Sequence, residues 1–238
     1  MKVLIVAAGK GERINVDGER KPKPLYHCFD KYLIEHVIEN FKKAGINEFY
    51  IVVGFMAEHI KTALGDGSKY GIKISYIHNL EFDTKANGWS VYVSKEFMGE
   101  PFILTMSDHI FQPEVIQEFV SFVSGKSNCY LCTDKKIKEN TDIDDATKVY
   151  EEDGKIVNIN KKLDQFNSID CGVFYLTPKF FNALESAQLK GDFSITGGVK
   201  ELASNGEFLT HDVKEGKWID VDTREELIYL KENFKDVF

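Results

Sequence analysis

Hydrophobic positions in the first half of the chain switch repeatedly between two patterns. Continuous apolar runs, typical of buried strands, occur at Lys2–Val6, Phe49–Val53, Ile72–Ile77, Phe102–Met106 and Cys129–Thr133. Between these runs, helical spacing or helix-start signals predict helices over Leu33–Ala44, Met56–Leu64, Gly88–Phe97 and Pro113–Val123. This strand–helix alternation predicts a mostly parallel sheet covered by helices on both faces.

The pattern changes in the second half. Two strands, Thr147–Glu151 and Lys155–Asn160, flank Asp153-Gly154, a pair typical of a hairpin turn. Further elements are predicted at Ser168–Leu176, a helix opened by Thr177-Pro178, Gly197–Ala203, Glu207–Val213, Lys217–Val221 and Arg224–Phe234, and the acidic stretch Glu139–Asp145 is predicted to be an exposed loop. We expect one domain over residues 1–238, a three-layer α/β/α fold with a Rossmann-like central sheet and an added β-hairpin region.

Composition narrows the class of protein. A hydrophobic content of 43% in 238 residues is enough for one large core. The net charge of −8 argues against a nucleic-acid partner, which usually requires a broad basic surface. The start of structure at Lys2 and the lack of a long apolar run predict a cytoplasmic chain without direct membrane insertion. Cys129 and Cys132 would point to opposite faces of a strand, which favours buried thiols over a metal site.

The first strand leads into a small, glycine-containing turn that is followed by fixed positive charge. Glycines let backbone N–H groups approach an anion, and the cations that follow neutralise it. The candidate residues are Ala7, Ala8, Gly9 and Gly11 in the turn, then Arg13 and Lys23. The pattern G-x-G-x-R is neither a dinucleotide fingerprint nor a P-loop, and a tight structural turn is the alternative. With the cations, the stretch indicates a polyphosphate site.

Acidic residues occur at two later points where they can serve this site. Asp108 follows a buried strand, the position where open parallel sheets bind ligands, although it is also suited to capping a helix. Asp220 and Asp222 stand at i and i+2 on an extended segment and can face one cation. Alternatively, Asp222 caps the last helix with Glu225 as its capping-box partner. We expect a metal site formed by Asp108 with Asp220, Asp222 or both.

The block LIVAAGKGERI…KPKPL resembles the signature of the nucleotidyltransferase superfamily, whose members make NDP-sugars and CDP-alcohols. The resemblance implies Mg²⁺ held by Asp108 and a second carboxylate, with Asp220 the better match. It also implies that Arg13 stabilises the leaving pyrophosphate and that Lys23 neutralises the α-phosphate. Asn87 and Ser90 match a stretch that lies against the nucleotide base, with helix capping as the alternative.

The stretch from Thr147 to Phe174, together with the SDHI form of the metal motif, resembles the CTP:inositol-1-phosphate cytidylyltransferases. The resemblance implies transfer of CMP from CTP to inositol 1-phosphate, giving CDP-inositol and pyrophosphate. Residues 1–125 then form the nucleotide-binding half and residues 126–238 the acceptor-binding half. The implied acceptor-binding residues are Lys148, Lys161, Asp170 and Gly172, although Lys161 also fits a solvated strand end.

Two alternatives remain at this point. One is nucleotidyl transfer to phosphocholine or a sugar 1-phosphate. The other is a non-catalytic nucleotide-binding regulator, which would not need the metal carboxylates.

Many members of the inositol family are fused to a membrane domain that uses CDP-inositol to make di-inositol phosphate. We therefore expect a separate membrane CDP-alcohol phosphotransferase as the next enzyme.

Overall fold

A computed structural model describes residues 1–15, 20–137 and 143–235; part of the predicted acidic loop Glu139–Asp145 lies outside these ranges. The strands are β1 (Lys2–Ala7), β2 (His27–Cys28), β3 (Lys31–Tyr32), β4 (Glu48–Val53), β5 (Lys73–His78), β6 (Phe102–Met106), β7 (His109–Phe111), β8 (Cys129–Asp134), β9 (Lys148–Glu152), β10 (Lys155–Asn160), β11 (Ser168–Leu176), β12 (Phe208–Asp212) and β13 (Trp218–Asp220). The helices are α1 (Leu33–Lys43), α2 (Ala57–Leu64), α3 (Asn87–Tyr92), α4 (Pro113–Val123), α5 (Lys179–Leu189), α6 (Ile195–Ala203) and α7 (Arg224–Asn233).

Nine strands form one continuous sheet in the order β5-β4-β1-β6-β11-β8-β12-β10-β9. The four strands from the first half, β5, β4, β1 and β6, are all parallel. The strand β11 runs antiparallel to both β6 and β8, and β10 runs antiparallel to β12 and β9. The chain adds strands to one side of β1 and then places β6 on the other side, which creates a switch point where ligands of such sheets bind.

The two faces of the sheet are covered by different helices. Along β1, Val3 and Ile5 enter the core under α1, α2, α4 and α7, whereas Leu4 enters the core under α3, α5 and α6. This alternation follows from the two-residue period of a strand. Cys132 and Cys129 divide between the same two cores, and all four cysteines are buried free thiols. The predicted α/β/α fold is confirmed.

Local chemistry explains where elements begin and end. Asp153 and Gly154 both have positive φ, at 49° and 72°, as a tight hairpin turn requires. The helix predicted over Gly88–Phe97 is wrong in its length, because α3 ends at Tyr92 and a 3₁₀ turn follows. The buried Ser94 hydroxyl donates to the carbonyl of Val91 at 2.6 Å, a local bond that competes with continued helix.

A short antiparallel ribbon lies beside the switch point. The sequence does not predict that its two strands pair. It joins β7 to β13 and places His109 opposite Asp220. The ribbon therefore brings together two segments of the chain that both carry acidic residues.

Among the described residues, there is no helix that combines the length and apolar character needed to cross a bilayer.

Candidate active site

The glycine turn at the end of β1 packs directly on the segment that carries Lys23. Gly11 has φ +59°, and a Cβ atom there would lie 2.6 Å from the Cβ of Lys23. Only glycine permits both this backbone conformation and this close approach. The carbonyl of Ala8 accepts a hydrogen bond from the backbone of Phe55 at 3.0 Å, which anchors the start of the turn. The turn and the cation predicted to serve it are thus held together.

The Lys23 ammonium lies between two carboxylates, in contact with Asp108 Oδ2 and Asp222 Oδ1. We call these three residues the buried triad, because their side chains are only 13%, 11% and 16% exposed. Burial alone would lower the pKa of Lys23, but Asp108, Asp220 and Asp222 outweigh it and raise this pKa. Burial would raise the pKa of Asp108, and Lys23 with His109 instead holds it well below its usual range. Both groups therefore stay charged.

A second cluster, formed by Asp108, His109 and Asp220, shares one member with the buried triad. One potential ligand atom from each residue lies within 4.8 Å of the other two. His109 Nδ1 is 2.9 Å from Asp108 Oδ1 and 3.5 Å from Asp220 Oδ1. Burial would lower the pKa of His109, but Asp220 and Asp108 raise it to about 9. Burial, reinforced by Asp108, raises the pKa of Asp220 to about 7 although His109 opposes the shift.

These residues fit a divalent cation. The Asp220 Oδ1 atom is buried and accepts no hydrogen bond from the described residues, although His109 Nδ1 lies 3.5 Å from it. Such an orphaned carboxylate oxygen is costly without a partner, and a metal ion is one way to satisfy it. Two carboxylates suit Mg²⁺, while an added imidazole also suits softer divalent ions. The residues that would hold the ion are Asp108 and Asp220, with His109 beside them.

Asp222 has a different environment from Asp220. Its Oδ2 accepts from Arg13 Nη2 at 2.5 Å while its Oδ1 contacts Lys23, so both oxygens are engaged by cations. The helix-capping interpretation of Asp222 is wrong. Thr223 is the N-cap of α7, and Glu226, not Glu225, completes the capping box. The structure therefore brings Asp222 to the site as a partner of cations and outside the Asp108–His109–Asp220 cluster.

The imidazole of His109 is confined on two sides. Gly172 has φ +74°, and a Cβ atom there would lie 2.3 Å from His109 Cδ2. On another side the ring stacks on Trp218, with centroids 6.1 Å apart and planes 18° from parallel. The Trp218 indole N–H in turn donates to Asp134 Oδ2 at 2.8 Å. Gly172, predicted to bind the acceptor, thus also makes room for the imidazole of the metal motif.

A cavity of about 560 Å³ adjoins this cluster, and we call it the acceptor cavity after the prediction made for its residues. Three of the predicted acceptor residues, Lys161, Asp170 and Gly172, line it, together with Arg13 and Asp222. Lys148 is not among its described lining residues. Its ammonium instead donates to the carbonyl of Lys161 at 2.9 Å, so Lys148 supports the cavity wall. Its role as an acceptor ligand stays a prediction.

Asp170 is one of the residues that line this cavity. Its Oδ1 accepts from the backbone N–H of Gly172 at 2.7 Å. Burial raises the pKa of Asp170 to about 6, although the Gly172 bond and His109 oppose the shift. A buried carboxyl of this kind suits hydrogen bonding to hydroxyl groups.

A single carboxylate links the two cations at the cavity mouth. Asp145 Oδ2 accepts from Arg13 Nη1 at 2.7 Å, and Asp145 Oδ1 accepts from Lys161 Nζ at 2.6 Å. We call Arg13, Asp145 and Lys161 the exposed triad, because their side chains are 51%, 38% and 56% exposed. Asp145 carries no signal in the sequence, since only the fold brings it within reach of a residue 132 positions away.

A second depression beside the glycine turn gathers the predicted nucleotide-binding residues. It is lined by Ala7, Ala8, Gly9, Gly11, Lys23, Asn87, Ser90 and Asp108, among others. Asn87 Oδ1 accepts from the backbone of Ile195 at 3.1 Å, and Ser90 Oγ accepts from Asn79 Nδ2 at 2.9 Å. Neither side chain caps α3, so capping of that helix is wrong, and Asn87 instead satisfies the first backbone N–H of α6. Contact of Asn87 and Ser90 with a base stays a prediction.

Comparison with known proteins places this site in context. The family model described as Nucleotidyl transferase matches residues 2–236. The chain is 26% identical over 238 residues to the Low-salt glycan biosynthesis nucleotidyltransferase Agl11 of Haloferax volcanii, covering 96% of this chain and 64% of that protein. It is 31% identical over 225 residues to the Bifunctional IPC transferase and DIPP synthase of Aquifex aeolicus, covering 94% and 49%. The chain thus spans about half to two thirds of the length of these relatives.

Among solved structures, the chain resembles the inositol-1-phosphate CTP transferase from T. maritima. The TM-score is 0.83 at 22% sequence identity, with 100% of this chain and 97% of that chain covered. At this identity the likeness establishes the shared α/β fold.

Proposed function

Because this chain belongs to the nucleotidyl transferase family, we propose that it transfers CMP from CTP to the phosphate of inositol 1-phosphate, giving CDP-inositol and pyrophosphate. Support for the nucleotide and the acceptor comes from the names of the similar proteins in A. aeolicus and T. maritima. The stretch from Lys148 to Phe174, which resembles the inositol family, supplies β9, β10 and β11 beside the acceptor cavity.

The observation that carries the proposal is the position of the Lys23 ammonium. It is buried at the switch point, contacts Asp108 and Asp222, and packs against Gly11 of the turn. A fixed ammonium at this point can stabilise negative charge on the α-phosphate oxygens as the phosphorus becomes five-coordinate. Because the charge is already in place before reaction, little reorganisation is required in the transition state.

The acceptor needs orientation more than activation. A phosphate monoester is already anionic, so its oxygen can attack the α-phosphorus without a strong general base. Lys161 and Asp170 both line the acceptor cavity. In the proposal Lys161 holds the acceptor phosphate and Asp170 holds hydroxyl groups of the ring, which aligns the attacking oxygen.

The metal would be held by Asp108 and Asp220, and we propose Mg²⁺. When bound, it supplies charge neutralisation to the phosphate oxygens. The residues of the chain do the rest: the turn from Ala8 to Gly11 binds phosphates through its backbone, and Arg13 stabilises the leaving pyrophosphate. Asp222 holds Arg13 and Lys23 in position relative to each other, since it contacts both.

A pyrophosphate-release screen tests the proposal. Each of CTP, UTP, GTP and ATP is paired with inositol 1-phosphate, phosphocholine and a set of sugar 1-phosphates, in the presence of Mg²⁺. We expect release above background with CTP and inositol 1-phosphate, and CDP-inositol as the product by mass spectrometry. Release with another pair would move the assignment to that acceptor, and the absence of release with every pair would support a non-catalytic regulator.

A further inference from the structure

We infer that the Asp145 carboxylate occupies the place of the acceptor's phosphate, so that the phosphate must displace Asp145 to bind between Arg13 and Lys161. This inference deepens the proposed function and rests on it for the identity of the acceptor. The ligand chemistry it names is a phosphate monoester dianion.

The geometry of the exposed triad matches that of a bound phosphate. The two oxygens of Asp145 engage two different cations, Arg13 Nη1 at 2.7 Å and Lys161 Nζ at 2.6 Å. A phosphate dianion offers three oxygens on one centre and can accept from the same two donors. Two anions cannot occupy this place together, because like charges at such separations repel. The carboxylate and the phosphate are therefore alternatives.

The contacts of Asp145 are suited to exchange. All three side chains of the exposed triad are between a third and two thirds exposed, unlike those of the buried triad. Ion pairs at this exposure contribute little net stability, because water and salt screen them. A ligand with a double negative charge can therefore displace a single carboxylate that is held this way.

Arg13 keeps its position when Asp145 leaves. Its other terminal nitrogen, Nη2, donates to Asp222 Oδ2 at 2.5 Å, and Asp222 is largely buried. The guanidinium therefore remains at the junction of the two cavities, both of which it lines. One face is then available to the triphosphate side and one to the acceptor side.

Equilibrium binding to Asp145→Asn tests the inference. Isothermal titration calorimetry measures the affinity of inorganic phosphate and, separately, of inositol 1-phosphate for the nucleotide-free protein at low salt. We expect both to bind about two- to fivefold more tightly to Asp145→Asn than to the wild type, the range that weak exposed pairs provide. The gain should shrink as ionic strength rises.

Asp144→Asn is the matched control. Asp144 is exposed, adjacent in sequence and carries the same charge, but the structure gives its side chain no part in the exposed triad. An unchanged affinity in Asp144→Asn, beside a gain in Asp145→Asn, supports the inference. An equal gain in both variants would overturn it, because the effect would then be one of general charge.

Weaker or unchanged phosphate binding to Asp145→Asn would also overturn the inference, since Asp145 would then position the cations instead of competing for them. The inorganic phosphate arm separates this failure from failure of the proposed function. If inorganic phosphate gains affinity and inositol 1-phosphate does not bind, the exchange at Asp145 stands and the proposed acceptor is wrong.

Discussion

The buried and exposed triads are inverse arrangements of charge. In the buried triad one cation, Lys23, lies between two carboxylates, and in the exposed triad one carboxylate, Asp145, lies between two cations. The buried triad carries a net negative charge and therefore favours binding of a cation. The exposed triad carries a net positive charge and therefore favours binding of an anion. Asp222 and Arg13 bond to each other and connect the two. The difference in burial suggests fixed chemistry in the first and exchangeable binding in the second.

Lys23→Ala should break the buried triad with the largest effect on activity. Removing a preorganised charge from a shielded site typically slows the chemical step by about a hundred- to thousandfold. We expect this loss in kcat, measured by pyrophosphate release at saturating substrates. Lys21→Ala, two residues away, is the control and should retain near-normal turnover. Comparable turnover in the two variants would remove Lys23 from the reaction.

The loss of Lys23 also leaves two carboxylates without their shared cation. Thermal unfolding of the same variant separates a folding defect from a catalytic one, because an uncompensated buried charge costs about 3–5 kcal/mol. A folded but inactive variant would support the catalytic role.

Gly172→Ala should destabilise the protein and displace His109. The residue has φ +74°, and the added Cβ would lie 2.3 Å from the imidazole. Gly154→Ala is a matched control, because Gly154 has φ +72° and nothing within 4 Å of an added Cβ. We expect Gly154→Ala to cost about 1–2 kcal/mol from backbone conformation alone, and Gly172→Ala to cost more. Urea unfolding measures both, and equal losses would mean that His109 moves away easily.

Asp220→Asn and Asp222→Asn should separate the metal cluster from the buried triad. Asp220 Oδ1 is buried and accepts no hydrogen bond from the described residues, whereas both oxygens of Asp222 contact cations. We expect Asp220→Asn to raise the Mg²⁺ concentration for half-maximal activity at least about tenfold, as loss of even an outer partner does. Asp222→Asn should lower kcat with a smaller change in metal dependence. The reverse pattern would make Asp222 the second ligand.

The smallest effect is expected at His36. At Lys23 the neighbouring charges outweigh the effect of burial on the pKa, whereas at His36 they do not. Burial lowers the pKa of His36 although its contact with the Cys28 carbonyl opposes the shift. The unfolded state, with a pKa of about 6.5, then binds more protons than the folded state. The contribution of His36 to the unfolding free energy should therefore be present above about pH 6.5 and be lost at lower pH.

His36→Gln isolates this contribution, since the amide can still donate to the Cys28 carbonyl. Urea unfolding of both proteins from pH 7.5 to 5.5 should show the wild type losing stability relative to the variant. A constant difference between them across this range would mean that His36 does not titrate as its burial implies.

Most elements were predictable because their periodicity is strong. The runs that become β1, β4 and β6 are continuous and apolar, and the apolar stripe of α1 is regular. The β7–β13 ribbon was not identified as a pair, since strands of three residues carry almost no periodic signal. The end of α3 depends on one side-chain hydrogen bond of Ser94, which spacing does not reveal.

The parts of the site that lie within sequence motifs were predictable. The parts that depend on contacts between distant segments were not. Lys23, Asp108 and Asp220 meet as expected at the switch point. The i, i+2 argument for Asp222 as a metal ligand stays a prediction, because Asp222 reaches the site but its two oxygens contact Arg13 and Lys23. The contacts of Asp145 and Trp218 depend on residues far away in the chain, so no local sequence pattern predicts them.

The place of β11 in the sheet bears on how this protein can be cut or rebuilt. Because β11 pairs with β6 through Val173 and Thr105 and with β8 on its other side, it closes an edge that residues 1–125 cannot close for themselves. A fragment ending near residue 125 would present the unpaired, mostly apolar edge of β6 to other chains, a template for aggregation. Split-protein reporters or domain grafts based on this chain therefore need their break in a surface turn, such as Asp153-Gly154, and not near residue 125.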